Sequence, residues 1–213
     1  MRRAGPAALA LAGVLAASAG CGGGAPAAAP AAAAAPTTQV DPARGLTQQQ
    51  AQRALLAVGD LPLGFQPQDD GEATALGCAG IDGVYLARGA AARAAASFGH
   101  SIGPAFVNET ITTRPGGAQA ALAGFARAAR ECASFSGGGV TYKVVALRLP
   151  RYGDGSAAVR VTSGLTEGRP VDLVAVRIGD TIVAVAAAGA GQQDVELTRT
   201  VVDRALVKIA RSR

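Results

Sequence analysis

Tryptophan is absent from this 213-residue chain, histidine and methionine occur once each, and cysteine three times. With one histidine and so few cysteines no usual zinc site closes, so neither metal nor cofactor is expected. Charged residues reach only 16% and aromatics 4%. The basic residues are scattered singly rather than gathered in a stripe, which argues against a nucleic-acid partner. The apolar share of 49% is largely alanine, which buries little area per residue. The length allows one domain with tails, and the formal charge of +5 includes Arg2 and Arg3 at the extreme N-terminus.

Those two arginines open an export leader. Residues 1–20 read as a signal peptide, with a basic start and an apolar run from Ala7 to Ala17 too short to cross a bilayer. Ser18-Ala19-Gly20 then precedes Cys21, an arrangement that resembles the lipobox of bacterial lipoproteins. There a cysteine thiolate takes a diacylglycerol and small side chains fit the peptidase. Ser18 stands where an aliphatic residue is usual, a choice tolerated in high-GC actinobacterial lipoproteins, and the Ala/Gly/Arg-rich composition fits such a genome. Lipidation of Cys21 also resolves the odd cysteine count, leaving Cys78 and Cys132 as a pair. Two acyl chains suffice for stable anchoring. The expected location is the outer face of the cytoplasmic membrane, reached by the Sec or the twin-arginine route.

Residues 21–40 comprise the lipidated cysteine and a glycine, alanine and proline tether that cannot pack a core. The folded domain is expected over 41–213. Thr47 with Gln50 three residues on forms a capping-box pattern ahead of a short helix ending near Gly59. Residues 72–90 show no clear period. Alternation then predicts strands at Arg93–Gly99, Ala105–Thr113, Val140–Leu149, Ser156–Ser163, Val171–Ile178 and Thr181–Ala188. Helices are predicted from Pro115 to Ser134 and from Gln192 to Ala210, the second with Val195, Thr198, Val202, Leu206 and Ile209 as its apolar stripe. Connections this short require a mainly antiparallel sheet, so the fold class is α+β, a single domain with two long amphipathic helices packed on one face.

Outside the cytoplasm Cys78 and Cys132 should be oxidised, closing 54 residues of chain. The chain-entropy model gives such a bridge about 4 kcal/mol at most. No C-x-x-C suggests redox chemistry. Catalytic candidates are thin: His100 sits in a turn beside Ser101, no G-x-S-x-G occurs, and Asp69, Asp70 and Glu72 crowd one loop. The glycine clusters lack the G-K-[ST] of a phosphate loop. An enzyme is therefore not expected. A weak ligand-binding surface is suggested by Arg148, Arg160 and Arg177, with Arg151 and Arg169, on or between the last four strands. Asp154, Asp172 and Asp180 lie close enough in sequence to neutralise them, and ordinary solvent-facing arginine is the blander explanation.

The ordered set "LLAVGDLPLGF", "ARECASF", "YGDGSAAVRV" and "VAVRIGDTIVAV", after a lipobox and tether and before an amphipathic helix, resembles actinobacterial sensor-domain-containing lipoproteins. It is similar to the extracellular sensor domain of mycobacterial serine/threonine kinase H, over roughly residues 45–211. The resemblance implies an antiparallel sheet with flanking helices, a disulfide and a cleft for an unknown ligand. A PsbP-like fold has similar element content. The functional expectation is a membrane-anchored, non-enzymatic module binding an unknown envelope ligand or partner protein, the alternative being a carrier of lipid or glycolipid.

Overall fold

The computed structural model describes residues 44–69, 75–164, 169–189 and 195–213. The leader, Cys21 and the tether lie outside the described residues, as do Asp70 and Glu72. Eight strands form one sheet: β1 (Phe65–Gln68), β2 (Ala92–His100), β3 (Phe106–Thr113), β4 (Ser134–Gly137), β5 (Val140–Ala146), β6 (Gly155–Ser163), β7 (Val171–Ile178) and β8 (Thr181–Ala188). Every pairing is antiparallel, in the order β1-β2-β3-β8-β7-β6-β5-β4. Four helices flank it: α1 (Gln48–Ala54), α2 (Ala79–Tyr85), α3 (Ala118–Glu131) and α4 (Val195–Ser212).

Local chemistry sets most boundaries. Thr47 caps α1: its hydroxyl accepts from the Gln50 amide at 3.2 Å, and the Gln50 side chain accepts from the Thr47 amide at 2.9 Å. Leu46 before the cap and Ala51 in the helix are buried in the same core, stapling the entry. Pro67 is tolerated in β1 because that strand is an edge. The glycines of residues 137–139 build the β4–β5 hairpin. Gly138 and Gly139 take φ of 58° and 78°, the two positive values that a tight two-residue turn demands.

Among the described residues four α-helices stand where three were expected, and the two longest, expected on one face, lie on opposite faces. Alternate residues of β8 show this. Val183, Val185 and Ala187 pack with Val201, Val202 and Ile209 of α4, together with Ala51 and Ala54 of α1. Ile182, Ala184 and Ala186 pack with Phe125 and Ala128 of α3 and Ile81 and Val84 of α2. The reason is in the central strands. β8 is buried at all eight positions and β7 from Asp172 to Val176, so a helical layer is needed on each side. The layers are offset. α1 and α4 cover the β2-β3-β8-β7 part, and α2 and α3 cover the β8-β7-β6-β5 part on the other face.

α2 had no visible period, because AGIDGVY carries two glycines that weaken a helix. One of them is required by packing. A Cβ on Gly80 would meet the Gly124 carbonyl of α3, so the glycine lets the two helices approach closely. Cys78 and Cys132 then join the start of α2 to the end of α3, with Cα atoms 5.9 Å apart.

Candidate ligand-binding site

The offset layers leave an apolar hollow of about 260 Å³ where α2 stands off the sheet. Ile81, Tyr85 and Leu86 form its helical wall, and Phe106 of β3, Tyr142 of β5, Val161 of β6, Leu173 of β7 and Ala186 of β8 form its floor. Side chains on alternate positions of antiparallel strands point to one face, which is why residues so distant in sequence converge. Asn108 and Ser163 place polar side chains in this lining.

Three fastenings hold the wall. The disulfide pins the N-terminus of α2. Asp82 accepts hydrogen bonds from the amides of Leu76 at 2.8 Å and Gly77 at 3.0 Å, closing the approach to the helix. Tyr85 sends its hydroxyl into the sheet, donating to the Val185 carbonyl at 2.7 Å, and burial raises its pKa far above the ordinary range. Tyr85 and Phe125 rings lie 6.2 Å apart, and Phe135 stacks on Tyr142 at 5.0 Å. Asp82 is the one charged side chain in the lining, and both its oxygens are engaged by backbone amides. The lining is thus mainly apolar, with its charged group already held by the backbone.

The arginines suggested by the sequence do not gather into one surface. Arg160 faces the α4 layer and forms a two-pronged pair with Asp172, at 2.6 and 3.0 Å, and Thr198 of α4 donates to the same carboxylate at 2.9 Å. Arg177 projects from the opposite face, 3.6 Å from the Asp154 carboxylate, and with Arg151 borders an open hollow of about 450 Å³ beside α3. Arg148 is exposed in the segment after β5. The suspected neutralisation by Asp154 and Asp172 is therefore realised. His100 ends β2, packs edge-on against Phe65 at 5.3 Å, and holds the Ile102 carbonyl with Nδ1 at 2.7 Å.

One ionisable group escaped the sequence reading. Glu109 of β3 is 1% exposed, and burial pushes its carboxyl up to about 7 although the Leu56 amide donates to it at 2.7 Å. Its other oxygen has no hydrogen-bond partner among the described residues. The signal was available, since Val107 and Ile111 flank it at two-residue spacing on the buried face of the strand. It faces core rather than cleft, so it is a structural carboxyl. Among the described residues no group of three or more metal-ligating side chains converges, and no helix is long and apolar enough to cross a membrane.

No protein-family model matches the chain, and no curated protein matches it in sequence. Among solved structures it is similar to the crystal structure of the extracellular domain of PknH from Mycobacterium tuberculosis. The TM-score is 0.61 at 16% identity, over 79% of this chain and 98% of that one. At that identity the likeness is one of fold, and in fold the chain follows that extracellular domain.

Proposed function

We propose that the chain is a membrane-anchored extracytoplasmic lipoprotein whose domain is a non-enzymatic, sensor-like binding module with the hollow beneath α2 as its ligand site. The hollow is the observation that carries the reading. Its volume of about 260 Å³ exceeds the roughly 150 Å³ cavity that accepts benzene and lies just under the usual range for drug-sized ligands. A compound of one or two rings, or a short branched chain, fits it, with Asn108 available to a polar end. The location follows from the lipobox at Cys21 and agrees with a fold also used by an extracellular domain. The apolar lining keeps a lipid or glycolipid carrier as the second reading, although two acyl chains would require α2 to open.

Residues 41–213 contain every residue of both cores, from Leu46 to Ile209, and can be tested alone. After export through an oxidising route, native mass spectrometry should show a small stoichiometric adduct that Ala186→Leu, which fills the hollow, abolishes. An adduct of diacyl-lipid mass would establish the carrier instead. If the chain emerges bare and its melting temperature ignores a panel of small amphiphiles, the hollow is not a ligand site.

A further inference from the structure

Five basic residues of α1, α4 and the residue after α4 (Arg53, Arg204, Lys208, Arg211 and Arg213) lie together at one pole of the fold. A second hollow, of about 500 Å³, lies between the end of α1 and the last turn of α4. It is lined by Arg53, Lys208, Arg211 and Arg213, with Asp60 as its one carboxylate side chain. Lys208 engages Asp60 at 2.8 Å, and Arg204 is close enough to act on the same carboxylate. Arg213 donates to the Ile178 carbonyl at 3.0 Å, which places the group at the β7–β8 turn.

The N-terminal segment enters at this same pole. The Leu46 amide donates to Thr181 Oγ1 at 3.0 Å, and Thr113 Oγ1 donates to the Leu46 carbonyl at 2.6 Å. Thr181 is the first residue of β8 and Thr113 the last of β3, so Leu46 lies at the basic end. The hollow beneath α2 lies toward the opposite strand ends, where Phe106 pairs with Ala188 and Tyr142 with Ser163.

We infer that the basic pole is a docking surface for anionic phospholipid headgroups, which turns the domain so that the hollow beneath α2 faces away from the bilayer. The inference rests on the lipoprotein reading, which places the domain beside a bilayer. Charge complementarity supplies the attraction. Each basic side chain near an anionic surface is worth about fivefold in partitioning, and the effect dies within a Debye length of about 10 Å. Only a face presented directly to the surface gains from it, and Arg53, Arg204, Lys208 and Arg211 share this face.

The test uses unlipidated residues 41–213 and vesicles of phosphatidylcholine alone or mixed equally with phosphatidylglycerol, scored by co-flotation at low and high salt. Binding to the mixed vesicles, absent on phosphatidylcholine and lost at high salt, is expected. The exposed set Arg53→Gln, Arg204→Gln and Arg211→Gln should weaken it on the order of a hundredfold. Arg127→Gln, Arg130→Gln and Lys143→Gln, three exposed changes toward the other pole, should leave it unchanged, and thermal melts confirm that both variants fold. Equal loss from the two sets, indifference to phosphatidylglycerol, or displacement by millimolar inorganic phosphate would overturn the inference. Because no lipid anchor is present, failure here leaves the lipoprotein reading standing, and failure of lipidation at Cys21 leaves this result unchanged.

Discussion

Two buried carboxylates on the α4 side of the sheet behave in opposite ways. Asp172 is satisfied three times over, by both prongs of Arg160 and by Thr198, and it ties β6, β7 and α4 together. Removing it as Asp172→Ala leaves a guanidinium that is only 17% exposed without its partner, and unfolding should become easier by about 3–5 kcal/mol, measured from denaturant midpoints. Glu109 lacks such a partner. Burial dominates, Lys208 lowers its pKa and Asp60 raises it, and the net value is about 7 against an ordinary 4.5. The native state therefore binds a proton more tightly than the unfolded chain. The stabilisation is complete below about pH 4.5, declines as pH rises, and is gone above about pH 7, a total near 3 kcal/mol. Glu109→Gln should flatten this slope. Identical pH dependence in the two proteins, compared at pH 5 and pH 8, would count against it.

Among the elements, α2 matters most for the site and owes least to its own propensity. Seven residues with two glycines do not hold a helix in water, so its position depends on the disulfide, on Asp82 and on the Tyr85 anchor. Reduction, or the double change Cys78→Ala and Cys132→Ala, should lower stability by up to about 4 kcal/mol and loosen the hollow first. Amide exchange would reveal faster opening at Ile81–Leu86 than in β7 and β8; uniform acceleration across the sheet would show that the bridge acts on the whole fold alone. The placement of α3 and α4 on opposite faces follows the same logic of packing over propensity. "VDLVAV" and "TIVAVAAA" run without alternation, and strands of that kind are buried on both faces.

At the scale of the whole molecule, the two proposals combine: lipidation of Cys21 would set the location, and the basic pole would turn the hollow beneath α2 away from the bilayer. Cys21→Ala should shift the exported protein from the detergent phase to the aqueous phase on Triton X-114 partitioning. A variant retained wholly in detergent would mean that something other than this cysteine holds it.

What could be read along the chain was what depends on near neighbours. The capping box at Thr47, the spans of β7 and β8 and the α+β class all rest on contacts within a few residues. The cysteine pairing came from parity and an oxidising compartment. β1 and β4 went unseen, and the segment holding α2 showed no clear period, because "FQPQ", "SFSG" and "AGIDGVY" have weak local preferences and exist through what they pack against. The hollow, the solitary burial of Glu109 and the basic pole required the tertiary fold. Arg53 is far from Lys208 and Arg211 in sequence, and only the placement of α1 against α4 brings them to one end. Local free energies act over a few residues, whereas a cavity or a charged pole exists only once distant segments have been brought together by the burial of a shared core.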